Sequence, residues 1–190
     1  MKSKILKSVA LAASLISGSA FAAFDGDYDV SNWTQTPGTG SIDLSNVATL
    51  DTLTLIGGND GSGSQSSTIF SIAITASGTL NFAWNYSTAE ANSFWDPFGY
   101  ELNGTITQLT TNGNAAGSNQ SGIVSIAVSA GDIFGFRQTT RDNVFGGAST
   151  SISNFSAPSL VTSPVPLPPS FGFLGFALGG LVMMQRRDRR

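Results

Sequence analysis

The chain has 190 residues, a formal net charge of −3 and only 11% charged residues, and it contains neither cysteine nor histidine. That inventory excludes disulfide frameworks, Cys-His proteases, Ser-His-Asp hydrolases and histidine-ligated metal enzymes. The length suits one ordinary domain with targeting segments, and 22 glycines among Ser, Thr, Asn and β-branched residues favour an all-β body.

Residues 1–22 place Lys2, Lys4 and Lys7 before an apolar run from Val9 to Ile16, followed by small residues ending Ala20-Phe21-Ala22. This three-part layout predicts a secretory signal peptide cleaved after Ala22. A retained anchor is the alternative, disfavoured by the short run and by Ser14 and Ser17.

The body, residues 23–157, opens with "FDGDYD", which sets Asp25, Asp27 and Asp29 at alternate positions. Closely spaced hard oxygen ligands suit calcium, so these three are the candidate site for a structural calcium, the one cofactor the sequence suggests. The bland reading is three solvated acids on one strand face. Period-two alternation follows: "STIFSIAIT" puts Phe70, Ile72 and Ile74 on one face, and "GTLNFAWNY" does the same with Leu80, Phe82, Trp84 and Tyr86. "GIVSIAVS" aligns Val124, Ile126 and Val128, and "DIFGFRQ" sets Phe134 and Phe136 against Gly135 and Arg137. Asn103-Gly104 between apolar runs predicts a two-residue hairpin. Strands centred near Tyr28, Ile42, Leu53, Ile72, Phe82, Tyr100, Ile106, Ile126, Phe134 and Ile152 number eight to ten, predicting a β-sandwich of jelly-roll type.

Within the body, "NSFWDPFGY" gathers aromatics around Asp96 and Pro97. Trp95, Asp96 and Tyr100 form a candidate sugar site, because sugar C–H faces desolvate against a ring while polar groups bind hydroxyls. The competing reading folds these rings into the core. Asp96 and Glu101 are also the closest acid pair there, the minimal requirement for a glycoside hydrolase, but five positions across a Pro-Gly turn define no such geometry. Asn32, Asn85, Asn103, Asn119 and Asn154 each begin N-x-S/T, which reflects the Ser/Thr-rich composition more than glycosylation. The body's eleven acids face only Arg137 and Arg141, a net charge of −9, so nucleic acid is excluded as a partner.

After a Pro-rich linker, 158–170, an apolar stretch from Leu167 to Met184 ends in "QRRDRR". As a helix, about 18 residues rise about 27 Å against a hydrocarbon core of about 30 Å, and 171–184 is assigned as a transmembrane helix. Arg186, Arg187, Arg189 and Arg190, in the tail 185–190, form a cytoplasmic stop under the positive-inside rule.

This order of parts resembles the PEP-CTERM sorting signal, with Val165-Pro166-Leu167-Pro168 similar to its VPLP variant and Leu167 standing where the usual motif has an acid. The resemblance covers about 26 residues. It implies recognition by an exosortase-like processing enzyme after signal peptidase, transient anchoring in the inner membrane, and release to the cell surface or extracellular matrix among exopolysaccharide and biofilm. A permanent C-terminal anchor is the alternative. "SNWTQ", "AGDIFGF" and "SISNFSAP" resemble segments of jelly-roll surface domains. The expectation is a non-enzymatic exported surface or matrix protein; a carbohydrate-binding module using the loop near Trp95 is the alternative, and a glycoside hydrolase a remote one.

Overall fold

A computed structural model describes residues 21–90, 92–113 and 119–160. The expected signal segment up to Ala20, the sorting motif Val165–Pro168, the 171–184 span and the terminal arginines lie outside these residues. Among the described residues, no helix is long and apolar enough to cross a membrane.

Among the described residues, eleven strands form two antiparallel sheets. They are β1 (Phe21–Ala22), β2 (Thr34–Thr36), β3 (Ser41–Asp43), β4 (Leu53–Ile56), β5 (Ser66–Ala73), β6 (Gly78–Ser87), β7 (Phe98–Leu102), β8 (Thr105–Gln108), β9 (Asn119–Val128), β10 (Ile133–Thr140) and β11 (Ser149–Pro158). One sheet runs β3-β4-β11-β6-β9, with β1 also on β11; the other runs β2-β5-β10-β7-β8. The pairs β4–β11, β5–β10, β6–β9 and β7–β8 are nested like the two arms of one long hairpin. Rolling such a hairpin so that β11 also meets β6 and β10 meets β7 gives the jelly roll. At its tip, Asn103 and Gly104 both have positive φ, 51° and 79°, as a two-residue type I′ turn requires.

The alternating residues meet between the sheets. Leu80, Phe82, Trp84 and Tyr86 of β6 are buried, as are Phe70 and Ile72 of β5, Ile74 just beyond it, and Phe134 and Phe136 of β10. Trp33 stacks on Phe70 with centroids 4.5 Å apart and planes within 7°, and on Phe136 at 5.7 Å and 8°, while Phe155 meets it edge-on at 5.4 Å. Each fully buried large ring contributes about 1.5–3 kcal/mol by removal from water.

Two local departures from regular strands complete this core. The strand expected near Tyr28 is a 3₁₀ turn, Gly26–Tyr28, followed by a second over Val30–Asn32. Gly26 adopts φ 54°, the Tyr28 amide donates to the Asp25 carbonyl, and Asp29 caps the second turn through the Ser31 amide. Compact turns let Tyr28 and Trp33 both enter the core, where Trp33 Nε1 donates to the Tyr28 carbonyl at 2.9 Å. Near its end, β11 carries a bulge between Ser153 and Ser156, with Asn154 at φ 50°. The extra residue switches the inward parity from Thr150 and Ile152 to Phe155 and Ala157.

Nesting also sorts the connections by length. The tight turns 74–77, 103–104 and 129–132 meet at one end, where Ile74 N donates to the Asp132 carbonyl and Asn103 Nδ2 to Asp132 Oδ1. The described parts of the longer loops, 57–65, 88–90, 92–97, 109–113 and 141–148, gather at the other. There Gly61 N donates to the Asn143 carbonyl, Arg141 N to the Trp95 carbonyl and Gly113 N to Asn92 Oδ1.

Candidate functional site: the long-loop end

The 88–97 loop is shaped by its own side chains. Asn92 Oδ1 accepts the amides of Phe94 and Gly113, both at 2.9 Å, which turns the chain and ties it to the 109–113 segment. Two N–H groups on one oxygen fix which way the amide points, and no other described residue accepts from Asn92 Nδ2. The turn leaves Trp95 43% exposed with Phe94 edge-on at 5.1 Å. Across from it Phe145 is 85% exposed and held at φ 63°. Trp95 and Phe145, with Ala89, Glu90 and Asn92, line an open cleft of about 300 Å3.

Beneath the cleft lies an acidic interior. Asp96 is fully buried and Glu90 nearly so. Thr88 accepts the Glu90 amide at 3.1 Å and its hydroxyl reaches Asp96 Oδ2 at 3.5 Å. Tyr86 Oη, Glu90 Oε1 and Asp96 Oδ1 have no hydrogen-bond partner among the described residues. Burial, reinforced by Asp96 and Asp142, pushes the Glu90 carboxyl up to about 7. Burial also pushes Asp96 up to about 6; the Thr140 and Thr88 hydroxyls moderate the shift and Asp142 adds to it. Burial pushes the Tyr86 phenol up as well; Thr88 is near enough to moderate it, but no bond of good geometry reaches its hydroxyl.

The three residues named from sequence as a sugar site are thus not on one surface. Trp95 is exposed, Asp96 is sealed below it, and Tyr100 turns inward on β7 toward Phe134 and Phe82, at 6.0 and 6.4 Å. Asp96 and Glu101 do not face each other either. Glu101 sits on the outer face of the sheet, where Arg137 Nη1 donates to its Oε2 at 3.1 Å. Phe145, Glu90 and Asn92 were missed because an isolated aromatic in "DNVFGGA" and an acid in "TAEAN" carry no periodic signal; only the Gly-Gly after Phe145 hinted at an unusual backbone.

At the opposite end of the chain order, the three alternate aspartates diverge. Asp29 accepts the Ser31 amide and hydroxyl at 2.9 and 2.6 Å, which holds it below the usual carboxylate range. Asp27 Oδ2 accepts from Thr75 at 3.2 Å, while Asp25 and Asp29 line a separate cleft with Asp51. Among the described residues no three acids converge as a metal-holding group.

No protein-family model matches the chain, and no curated protein matches it. Among solved structures it is similar to a family 35 carbohydrate-binding module from Clostridium thermocellum, at 14% identity over 69% of this chain and 96% of that one, with a TM-score of 0.36. It is similar to a module of the same kind from Cellvibrio japonicus at 16% identity, 66% and 91% coverage and TM-score 0.36. A module from Cellvibrio mixtus lichenase 5A in complex with cellotriose matches at 12% identity, 66% and 93% coverage and TM-score 0.30. Likenesses this distant leave the functional reading to the chain's own residues.

Proposed function

We propose that the body is a non-catalytic carbohydrate-binding domain of an exported surface or matrix protein, gripping a polysaccharide at the long-loop end. The observation that carries this reading is the exposed pair Trp95 and Phe145 flanking one cleft with Asn92 and Glu90 on its wall. Exposed rings bind the C–H faces of a sugar, and the Asn92 amide and the Glu90 carboxyl supply polar contacts to its hydroxyls. The export layout of residues 1–22 and the PEP-CTERM-like Val165–Pro168 tail with its arginines support a setting among extracellular polymers, after processing by an exosortase-like enzyme.

Affinity electrophoresis of the full chain through gels containing extracellular polysaccharides tests the site. Retardation is expected for the native chain and is expected to be lost in Trp95→Ala and in Phe145→Ala. Retardation unchanged in the double variant overturns the loop-end site, and no retardation on any polysaccharide favours a structural protein without a glycan ligand.

A further inference from the structure

We propose that a second groove, on the outer face of the β2-β5-β10-β7-β8 sheet, binds a carboxylate-bearing sugar, a uronate unit of a polysaccharide. This site is distinct from the loop-end cleft and stands whether or not that cleft binds glycans.

The groove originates in the register of three strands. Arg137 of β10 pairs with Gly99 of β7, and Gly99 pairs with Gln108 of β8, so the three share one row on the outer face. Gly99 is buried and carries no side chain, and the Thr107 carbonyl of β8 closes over the place a Cβ would take, so no side chain rises between the guanidinium and the amide. The resulting hollow of about 160 Å3 is lined also by Pro97, Ile106, Thr139 and Arg141.

Its charge is the second observation. The body holds two cations against eleven acids, and both cations line this one groove. They are used differently. Arg137 is spent inside the wall, donating to Glu101 Oε2 at 3.1 Å, Ser67 Oγ at 2.8 Å and Thr139 Oγ1 at 3.3 Å. Arg141 is exposed and stacks its guanidinium 4.4 Å over the Phe94 ring, with no acid paired to it among the described residues. Its neighbour Asp142 turns back to accept the Val144 amide at 3.3 Å. Stacking occupies the flat face of a guanidinium and leaves its edge, a fork of N–H donors that matches a carboxylate in bidentate geometry.

The remaining walls suit the rest of a sugar ring. Gln108 Nε2 is held by the Thr110 carbonyl at 2.6 Å and Asn112 Oδ1 at 2.7 Å, which directs its Oε1 away from both as an acceptor for a hydroxyl. Ile106, 55% exposed, supplies apolar surface for a C–H face. A long polyphosphate is disfavoured by the −9 charge of the body, whereas one carboxylate per sugar needs only the guanidinium edge that Arg141 presents.

Isothermal titration of the full chain at 0.15 M salt without calcium, with an α-1,4-linked oligogalacturonate and a neutral α-1,4-galacto-oligosaccharide of equal length, tests the assignment. The acidic oligomer is expected to bind at least tenfold more tightly. Arg141→Gln is expected to erase that preference and Arg141→Lys to restore only part of it, since an ammonium lacks the fork. Trp95→Ala is expected to keep the preference, which separates this groove from the loop-end cleft. Equal binding of the two oligomers, or a preference unchanged in Arg141→Gln, overturns the proposal.

Discussion

The Thr150 hydroxyl donates to Gln138 Oε1 at 2.7 Å, joining β11 of one sheet to β10 of the other through two residues with no solvent exposure. The same glutamine's Nε2 donates to the Asp96 and Pro97 carbonyls at 2.9 and 3.3 Å. Gln138 therefore fastens both sheets and the root of the Trp95 loop. Gln138→Leu keeps the volume but leaves the buried Thr150 hydroxyl without its acceptor and the Asp96 carbonyl without its donor, while the Pro97 carbonyl keeps the Thr139 amide. A loss of about 2–4 kcal/mol is expected, read as a lower urea midpoint at unchanged slope.

Trp33 is the other fastening, apolar where Gln138 is polar. Its ring stacks on both Phe70 and Phe136 while its N–H holds the 3₁₀ turn at Tyr28. Trp33→Ala is expected to remove about 3–5 kcal/mol. Trp33→Phe is expected to remove less, because it keeps a ring but leaves the Tyr28 carbonyl without its donor. Urea titration of both variants ranks the two contributions.

The buried acids give stability an unusual pH dependence. Asp96 and Glu90 have folded-state values raised to about 6 and about 7, above their ordinary values of 3.8 and 4.5. Between those limits the folded state binds more protons than the unfolded state, so stability falls as pH rises. Their contribution is fully present below the unfolded values and is lost as pH climbs through about 6 to 7. The capped surface acids Asp29, Asp43, Asp60 and Asp132, all held below the usual range, act oppositely and only in more acidic solution. The melting temperature is therefore expected to peak in mildly acid solution and to decline toward pH 8. Asp96→Asn, which fixes a neutral side chain, is expected to flatten that decline; a melting temperature that rises from pH 5 to 8 contradicts this account.

Phe145 separates stability from binding. An exposed phenylalanine at φ 63° gives up burial and bears backbone strain, a combination that concentrates at functional loops. Phe145→Gly is expected to leave the melting temperature unchanged or slightly raised while abolishing retardation on polysaccharide gels.

Gly99 controls both register and groove. A Cβ there would collide with the Thr107 carbonyl of the neighbouring strand. Gly99→Ala is expected to push β8 from β7, seen as faster amide hydrogen exchange over Thr105–Gln108, and to weaken binding of the acidic oligomer.

The alternation of Leu80, Phe82, Trp84 and Tyr86, or of Phe134 and Phe136, identified the core faces directly, because inward and outward residues alternate wherever a strand is regular. The Asn103-Gly104 turn was equally legible, since positive φ at two successive positions restricts the residue types. Neither the 3₁₀ turn at Tyr28 nor the bulge at Asn154 had such a signature: Trp33 and Phe155 impose those conformations by meeting in one core across long sequence separation. The site was only half legible for the same reason. Sequence marked Trp95 as an aromatic in a turn-rich loop, but whether it, Asp96 or Tyr100 reaches solvent depends on which loops the rolled hairpin gathers at one end. What the sequence determined by itself was composition, strand periodicity and the scarcity of cations. Tertiary structure alone decided that Phe145 faces the cleft of Trp95 and that Arg137, Gly99 and Gln108 form one row, because exposure and cross-strand register belong to the packed sheets and to no single segment.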